Sequence, residues 1–297
     1  MQAKILDGRS LSREIILEIK NKVLERKKLG LAPPGLAVIQ IGSDPASKIY
    51  VRNKRQACLE VGFESFNYDF ENYLISEQEL LNLIADLNHN KNIHGILIQL
   101  PLPSHINTSS IIDAIDIKKD VDGFHPYNLG LLAQRRPGLR PCTPKGVIKL
   151  LDSYLNKDLS GLHAVILGAS NIVGRPMGLE LLMRGLTVTT CHRLSHNIPE
   201  IVKTADVLIS AMGQPEMVKA DWIKPGAIVI DIGINRLIKN NQEKLVGDVD
   251  FQAVSEVASW ISPVPGGVGP MTIAMLLENT FDAYLNLSAD LISNLRD

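Results

Sequence analysis

The stretch Ser47 to Lys54, SKIYVRNK, puts Lys48, Arg52 and Lys54 within seven residues, directly behind the turn Gly42-Ser43-Asp44-Pro45. A capping oxygen followed by proline predicts a helix from about Pro45 to Val61. At about 100° per residue, Ser47, Tyr50, Val51, Lys54, Cys58 and Val61 share one stripe and Lys48, Arg52 and Arg55 another. The second group reads as a solvated flank. Lys54 projects with apolar residues, where an ammonium loses hydration. Two readings stay open for it: an amine placed for chemistry, or a snorkelling lysine that buries only its stem.

A second set of residues points to phosphate. The apolar run LHAVILG ends in Gly168-Ala169-Ser170-Asn171-Ile172-Val173-Gly174, and an apolar helix, MGLELLMRG, follows. A strand, a tight turn and a helix amino terminus together present backbone N–H groups and a positive dipole end to an anion. Ser170 stands where the usual second glycine would be, so the turn alone is weak, and its context makes it a dinucleotide signal. About 20 residues on, an NAD site usually carries an acid. Here the next strand ends in His192-Arg193, with Ser195 behind, and these donors suit a 2′-phosphate, which selects NADP. The alternative is that Arg193 is a solvated residue at a strand end. Cys191, His192 and His196 lack a fourth ligand and match no zinc spacing.

The elements that position these groups alternate between short Val- and Ile-rich runs and longer helical segments, which predicts an α/β fold with a mostly parallel sheet. The strands are expected at 35–42, 93–103, 162–170, 186–193, 205–213 and 226–235. QRRPGLRPCTP, residues 134–144, reads as a linker, with Thr143-Pro144 opening a new helix. That divides the chain into a first lobe, 1–140, and a Rossmann-like lobe, 141–271. The last helix, 272–297, is expected to return to the first lobe.

Composition excludes other classes. The chain has 297 residues, 45% hydrophobic and 21% charged, with net charge -1, which gives no electrostatic reason for a nucleic-acid or anionic-membrane partner. No apolar run approaches the roughly 18 residues of a membrane span, and MQAKILDGRS lacks a signal-peptide apolar region, so the expected location is cytoplasmic. Cys58, Cys142 and Cys191 are too scattered for a disulfide framework.

Taken together, SKIYVRNK, GILIQLPLP, KKDVDGF, RPCTPKG, GASNIVGRPM, GAIVIDIGIN and PVPGGVGPMT resemble, in order and spacing, the bifunctional methylenetetrahydrofolate dehydrogenase/methenyltetrahydrofolate cyclohydrolase family. The resemblance covers almost the whole chain. It implies two lobes with a cleft between them, a folate substrate, NADP, no metal and a homodimer. It implies that Tyr50 stacks on the folate, that Lys54 carries the cyclohydrolase chemistry, that Gln99 holds that lysine, and that Asp122 anchors the pterin. Ser47 is a supporting contact, and Pro265, Gly266 and Gly267 belong to the substrate site. Gly168, Ala169, Ser170, Ile172, Val173, Gly174, Arg193, Ser195 and Ile234 belong to the cofactor site. An amine at Lys54 would assist water attack on the methenyl cation and manage the protons of ring opening.

The blander readings are that Gln99 pairs with backbone at a strand end and that Asp122 is an ordinary turn residue. A metal on Asp120, Asp122 and His125 is disfavoured because a carbon that is already cationic needs no Lewis acid. Departures from the family pattern lie in cofactor recognition. Ala169 stands where many members have arginine, and Arg193-Leu194 where many have serine and a basic residue. Competing functions are another two-lobed NADP-dependent dehydrogenase, of shikimate type, and a non-catalytic dinucleotide-sensing protein.

Overall fold

The computed structural model describes residues 2–42, 45–70, 75–155, 158–239 and 242–293. They fall into two compact units, Arg13–Cys142 with Ile273–Asp297, and Met1–Ser12 with Thr143–Thr272. The chain passes from one unit to the other within helices α1 (Gly8–Lys28) and α10 (Val268–Ser293), and at the start of α6 (Cys142–Tyr154).

In the unit of residues 13–142, strand β2 (Gly35–Ile41) lies between β3 (Glu64–Phe70) and β4 (Gly95–Ile98), all parallel. Every residue of β2 and β4 is buried, as expected where a parallel strand is covered on both faces. Helix α2 (Pro45–Val61) joins β2 to β3, and α3 (Glu77–His89) joins β3 to β4. Ser76 opens α3 with a capping box. Its Oγ accepts from the Glu79 N–H at 3.2 Å, and the Glu79 carboxylate accepts from the Ser76 N–H at 2.8 Å, so two otherwise orphaned donors are satisfied. Leu80, Ile84 and Leu87 then share a face and enter a core with Ile39, Ile96, Ile98 and Ile111. Short helices α4 (Thr108–Asp113) and α5 (Pro126–Ala133) complete the unit.

The other unit carries six parallel strands in the order β1 (Lys4–Ile5), β11 (Trp260–Ile261), β8 (Ile228–Asp231), β7 (Val207–Ser210), β5 (His163–Leu167), β6 (Thr187–Cys191). Helices α7 (Gly174–Met183), α8 (Ile198–Val202) and α9 (Phe251–Val254) connect them, and β9 (Asn235–Lys239) pairs with β10 (Gln242–Val246) as an antiparallel ribbon. Val165, Leu167, Leu208, Val229 and Ile261 form the centre of the core.

Several boundaries differ from expectation. Residues 1–12 belong with the sheet of the second unit, not with a first lobe starting at residue 1, because β1 pairs in parallel with β11, Lys4 opposite Trp260. The run 93–103 is a strand only to Ile98, since Pro101 and Pro103 have no N–H for a ladder. The last helix begins at Val268 rather than Thr272. Pro270 sits in its first turn, where a missing N–H costs nothing. Ser43 and Asp44, the expected cap of α2, lie outside the described residues.

Candidate active site

Helix α2 sorts its residues largely as its period requires. Val51, Lys54, Cys58 and Val61 are buried, Ser47 and Tyr50 half-buried, and Lys48 and Arg52 exposed. Lys54 keeps only 6% of its surface, so it does not snorkel. Its Nζ donates to Gln99 Oε1 at 3.2 Å and stands 5.3 Å from the centre of the Tyr50 ring. Gln99 Nε2 in turn donates to the Leu100 carbonyl at 2.8 Å, which turns the amide oxygen toward the lysine. A buried ammonium needs such partners, and a ring face adds cation–π attraction. Arg55 departs from the solvated-flank reading, because its guanidinium forms a forked pair with Asp69 at 3.0 and 2.5 Å.

Asp122 is held beside this group by the turn KKDVDGF. Asp120, nearly fully buried, accepts from the Phe124 and His125 N–H groups at 3.1 and 2.9 Å and from Asn128 Nδ2 at 2.8 Å. Gly123 adopts φ +73°, and a Cβ there would lie 2.4 Å from Pro141 N, so the position requires glycine. From α10, Asn279 Nδ2 donates to the carbonyls of Val121 and Arg140, both at 2.8 Å. Burial pushes the Asp122 carboxyl up to about 6; the nearby Lys54 charge pulls it down and Asp120 pushes it up. Asp120 is engaged by N–H donors, and among the described residues no three His, Cys, Asp or Glu side chains are grouped to hold a metal.

In the other unit, the carboxyl ends of β5, β6 and β7 open on a cavity of about 630 Å³, lined by Leu167, Gly168, Ala169, Ser170, Cys191, His192, Arg193, Ile198, Ala211, Met212, Gln214 and Met217. It lies where the strand order reverses about β5, the place where open α/β sheets take their ligands. The turn fits a dinucleotide cradle. Gly168 has φ +114°, and a Cβ there would lie 2.2 Å from the Ala211 carbonyl oxygen; a Cβ on Gly174 would lie 2.0 Å from that of Gly168. Ser170 also explains its departure from glycine, because its Oγ accepts from the N–H groups of Val173 and Gly174 at 3.2 and 3.4 Å and so caps the entry to α7.

Not every expected cofactor residue lines the cavity. Ile172, Val173 and Gly174 shape the turn. Ser195 Oγ accepts from the His192 N–H at 3.0 Å, closing the bend that presents His192 and Arg193. Ile234 is exposed and outside the lining. Pro265, Gly266 and Gly267 lie in this unit, whereas Lys54, Gln99 and Asp122 lie in the other. Their turn packs on the start of α1: the Arg9 N–H donates to the Gly266 carbonyl at 2.9 Å, and a Cβ on Gly8 would meet Gly267 O.

Sequence reasoning missed Met212, Gln214 and Met217 in the lining, and the residue that holds their loop. Asp248, fully buried, accepts from the N–H groups of Met212, Gly213 and Gln214 at 2.6, 3.2 and 2.9 Å and from Asn235 Nδ2 at 2.9 Å. Asp231 accepts from the N–H groups of Gly233, Asp248 and Val249, and burial pushes its carboxyl up to about 7. Nothing local in the sequence marks this pair, although the fold requires a glycine against each: a Cβ on Gly233 would strike Asp248, and one on Gly247 would strike Asp231.

Residues 6–122 match the family model for the catalytic domain of tetrahydrofolate dehydrogenase/cyclohydrolase, and residues 141–288 match the model for its NAD(P)-binding domain. The bifunctional enzyme FolD, methylenetetrahydrofolate dehydrogenase/cyclohydrolase, of Campylobacter jejuni is 49% identical over 96% of this chain and 99% of its own, with TM-score 0.91. The methylenetetrahydrofolate dehydrogenase-cyclohydrolase of Trypanosoma brucei, solved with NADP and an inhibitor, is 35% identical over 96% and 98%, also at 0.91. The silkworm Bombyx mori methylenetetrahydrofolate dehydrogenase is 40% identical over 97% and 99%, at 0.89. With both of its domains matched and relatives of this identity aligned over nearly its whole length, the chain belongs to the tetrahydrofolate dehydrogenase/cyclohydrolase family.

Proposed function

We propose that the chain is a bifunctional enzyme that oxidises methylenetetrahydrofolate to methenyltetrahydrofolate, with NADP accepting the hydride, and hydrolyses the product to formyltetrahydrofolate. Membership of the family supports both activities. The observation that carries the residue assignment is the buried Lys54 amine, aimed at Gln99 Oε1 and flanked by the Tyr50 ring. Tyr50 gives a flat surface for the folate, and Asp122 offers acceptors to its donor groups. Lys54 assists water attack on the methenyl cation and carries a proton during ring opening. Gln99 keeps the amine in place. The folate residues Tyr50, Lys54, Gln99 and Asp122 belong to the unit of residues 13–142 and 273–297, and the cofactor residues to the other.

NADP supplies the hydride-accepting nicotinamide; the turn at Gly168–Ser170 and the donors His192 and Arg193 are the residues that would hold it. The relative solved with NADP and the absence of an acid at the end of β6 support NADP over NAD. Ser195 is assigned as a further donor behind Arg193, and Ser47, Ile234 and Pro265–Gly267 are assigned supporting roles on the family resemblance alone. On the same ground we assign a homodimer and a place in one-carbon supply for purine biosynthesis; the net charge of -1 supports the absence of a nucleic-acid or anionic-membrane partner, and with it we assign a cytoplasmic location. Among the described residues no helix is long and apolar enough to cross a membrane. The test is spectrophotometric: methenyl formation from methylenetetrahydrofolate with NADP and then NAD, followed by decay of the methenyl absorbance. Failure to form or to hydrolyse methenyltetrahydrofolate would overturn the reading.

A further inference from the structure

The loop that follows β7, residues 211–218, forms one wall of the coenzyme cavity through Ala211, Met212, Gln214 and Met217. Its backbone converges on one carboxylate. Asp248 Oδ2 accepts from the N–H groups of Met212 and Gly213 at 2.6 and 3.2 Å and from the Ser210 hydroxyl at 3.3 Å. Asp248 Oδ1 accepts from the Gln214 N–H and from Asn235 Nδ2, both at 2.9 Å. The main chain beside the carboxylate extends the hold, because the Glu216 N–H donates to the Gly247 carbonyl at 3.0 Å and the Val218 N–H to the Asp248 carbonyl at 2.9 Å. At its other end the loop meets the phosphate turn. The Ala211 N–H donates to the Leu167 carbonyl at 2.8 Å, and the Ala211 carbonyl oxygen fills the space that a Cβ on Gly168 would need.

Asp248 is fully buried and outside the cavity's lining. Burying a carboxylate is costly, and five donors to its two oxygens offset that cost. Three consecutive N–H groups are thereby drawn inward, away from the cavity, and the loop offers Met212 and Gln214 side chains to it instead. We infer that Asp248 is a positioning residue for coenzyme binding: it fixes the loop 211–218 against the Gly168 turn before the coenzyme arrives, so that binding does not have to order the loop. The inference rests on the reading of this cavity as the NADP site.

Asp248→Asn keeps the shape and removes the charge, and either orientation of the new amide sets its NH2 against at least two of the donors. NADP binding to the full chain is measured by calorimetry, beside the thermal midpoint, the dehydrogenase kinetics and the cyclohydrolase rate without coenzyme. In the variant the NADP Kd and KM should rise about tenfold or more. The kcat at saturating NADP and the cyclohydrolase rate, whose assigned residues lie in the other unit, should stay near those of the parent. Saturating NADP should also raise the parent's thermal midpoint by more than the variant's. Asn235→Ala removes one donor to Oδ1 and should raise the Kd by a smaller factor, roughly threefold to tenfold; it decides the matter if Asp248→Asn does not fold. A parent that binds no NADP fails the coenzyme reading and the inference with it. A parent that binds NADP while Asp248→Asn, or Asn235→Ala in its stead, binds equally well overturns the inference alone. A fall of both rates with KM unchanged overturns it too, because that is loss of folded enzyme and not of a placed loop.

Discussion

Lys54 Nζ and Gln99 Oε1 lie 3.2 Å apart on different elements of one unit, the amine from α2 and the amide from the residue that follows β4. The Gln99 N–H donates to the Ile39 carbonyl at 2.9 Å, which anchors the residue to β2 while its side chain reaches the amine. Lys54→Met keeps the buried stem and deletes the amine. Cyclohydrolase kcat should fall by roughly two to four decades, the usual weight of positioned proton transfer. Folate and NADP affinities should stay near those of the parent. Hydrolysis of methenyltetrahydrofolate at the parent rate would remove Lys54 from the mechanism.

Asp122 should show its role in affinity and in pH. Asp122→Ala should raise the folate dissociation constant by roughly one to two decades, the value of a hydrogen bond to a charged group, and leave NADP binding unchanged. With its carboxyl at about 6, the acceptor form is lost as pH falls through that value, so parent folate affinity should drop below about pH 6 and the variant's should be flatter. A loss confined to NADP would move Asp122 out of the folate site.

How far these residues were legible depends on whether a local rule named them. Lys54 was visible because a charge on an apolar helical stripe contradicts the period, and the Gly168 turn because a strand, glycine and helix follow one another. The central strands β2, β4, β5, β7 and β8 announced themselves as apolar runs rich in Val and Ile, whereas β3, ESFNYDF, has neither residue and was not expected. Asp248 and Asp231 were invisible, since an acid that folds inward to collect backbone N–H groups looks in sequence like a surface acid. The β1–β11 pairing joins two-residue strands some 250 residues apart, Lys4 to Trp260, and no local pattern encodes it. Arg55 read as solvated for a similar reason, since nothing local in the sequence brings Asp69 opposite it.

His94 makes stability depend on pH. Its Nδ1 accepts from the Gly35 N–H at 2.9 Å and so must stay unprotonated, while Lys119 lies close enough to repel a second charge. Burial first, then Lys119, lower its pKa from 6.5 to about 4. Below 6.5 the unfolded chain binds a proton that the folded chain refuses, so stability should fall as pH drops from about 6.5 toward 4. After allowance for residual solvent the loss should be roughly 2 kcal/mol. Urea midpoints measured across that range should show the slope in the parent and a shallower one in His94→Asn; equal slopes would assign the effect to other groups.

The coenzyme prediction rests on Arg193. It lies just past the end of β6, on a bend closed by Ser195 and His192, and it lines the 630 Å³ cavity beside Gly168 and Ala169. An NAD site would be expected to place an acid near this position to accept from a ribose 2′-hydroxyl. A guanidinium instead donates twice to a 2′-phosphate and has little to offer a hydroxyl. Ala169 brings no charge of its own, so Arg193 carries most of the discrimination. Arg193→Ala should therefore raise the NADP dissociation constant by roughly one to two decades and leave NAD use nearly unchanged. Because Arg193 is exposed, added salt should weaken NADP binding to the parent more than to the variant. The deciding quantity is the ratio of kcat/KM for NADP to that for NAD in the two proteins. A ratio left unchanged by the substitution would mean that Arg193 does not read the phosphate, and Arg175, on the other side of the Gly168 turn, would become the next residue to replace.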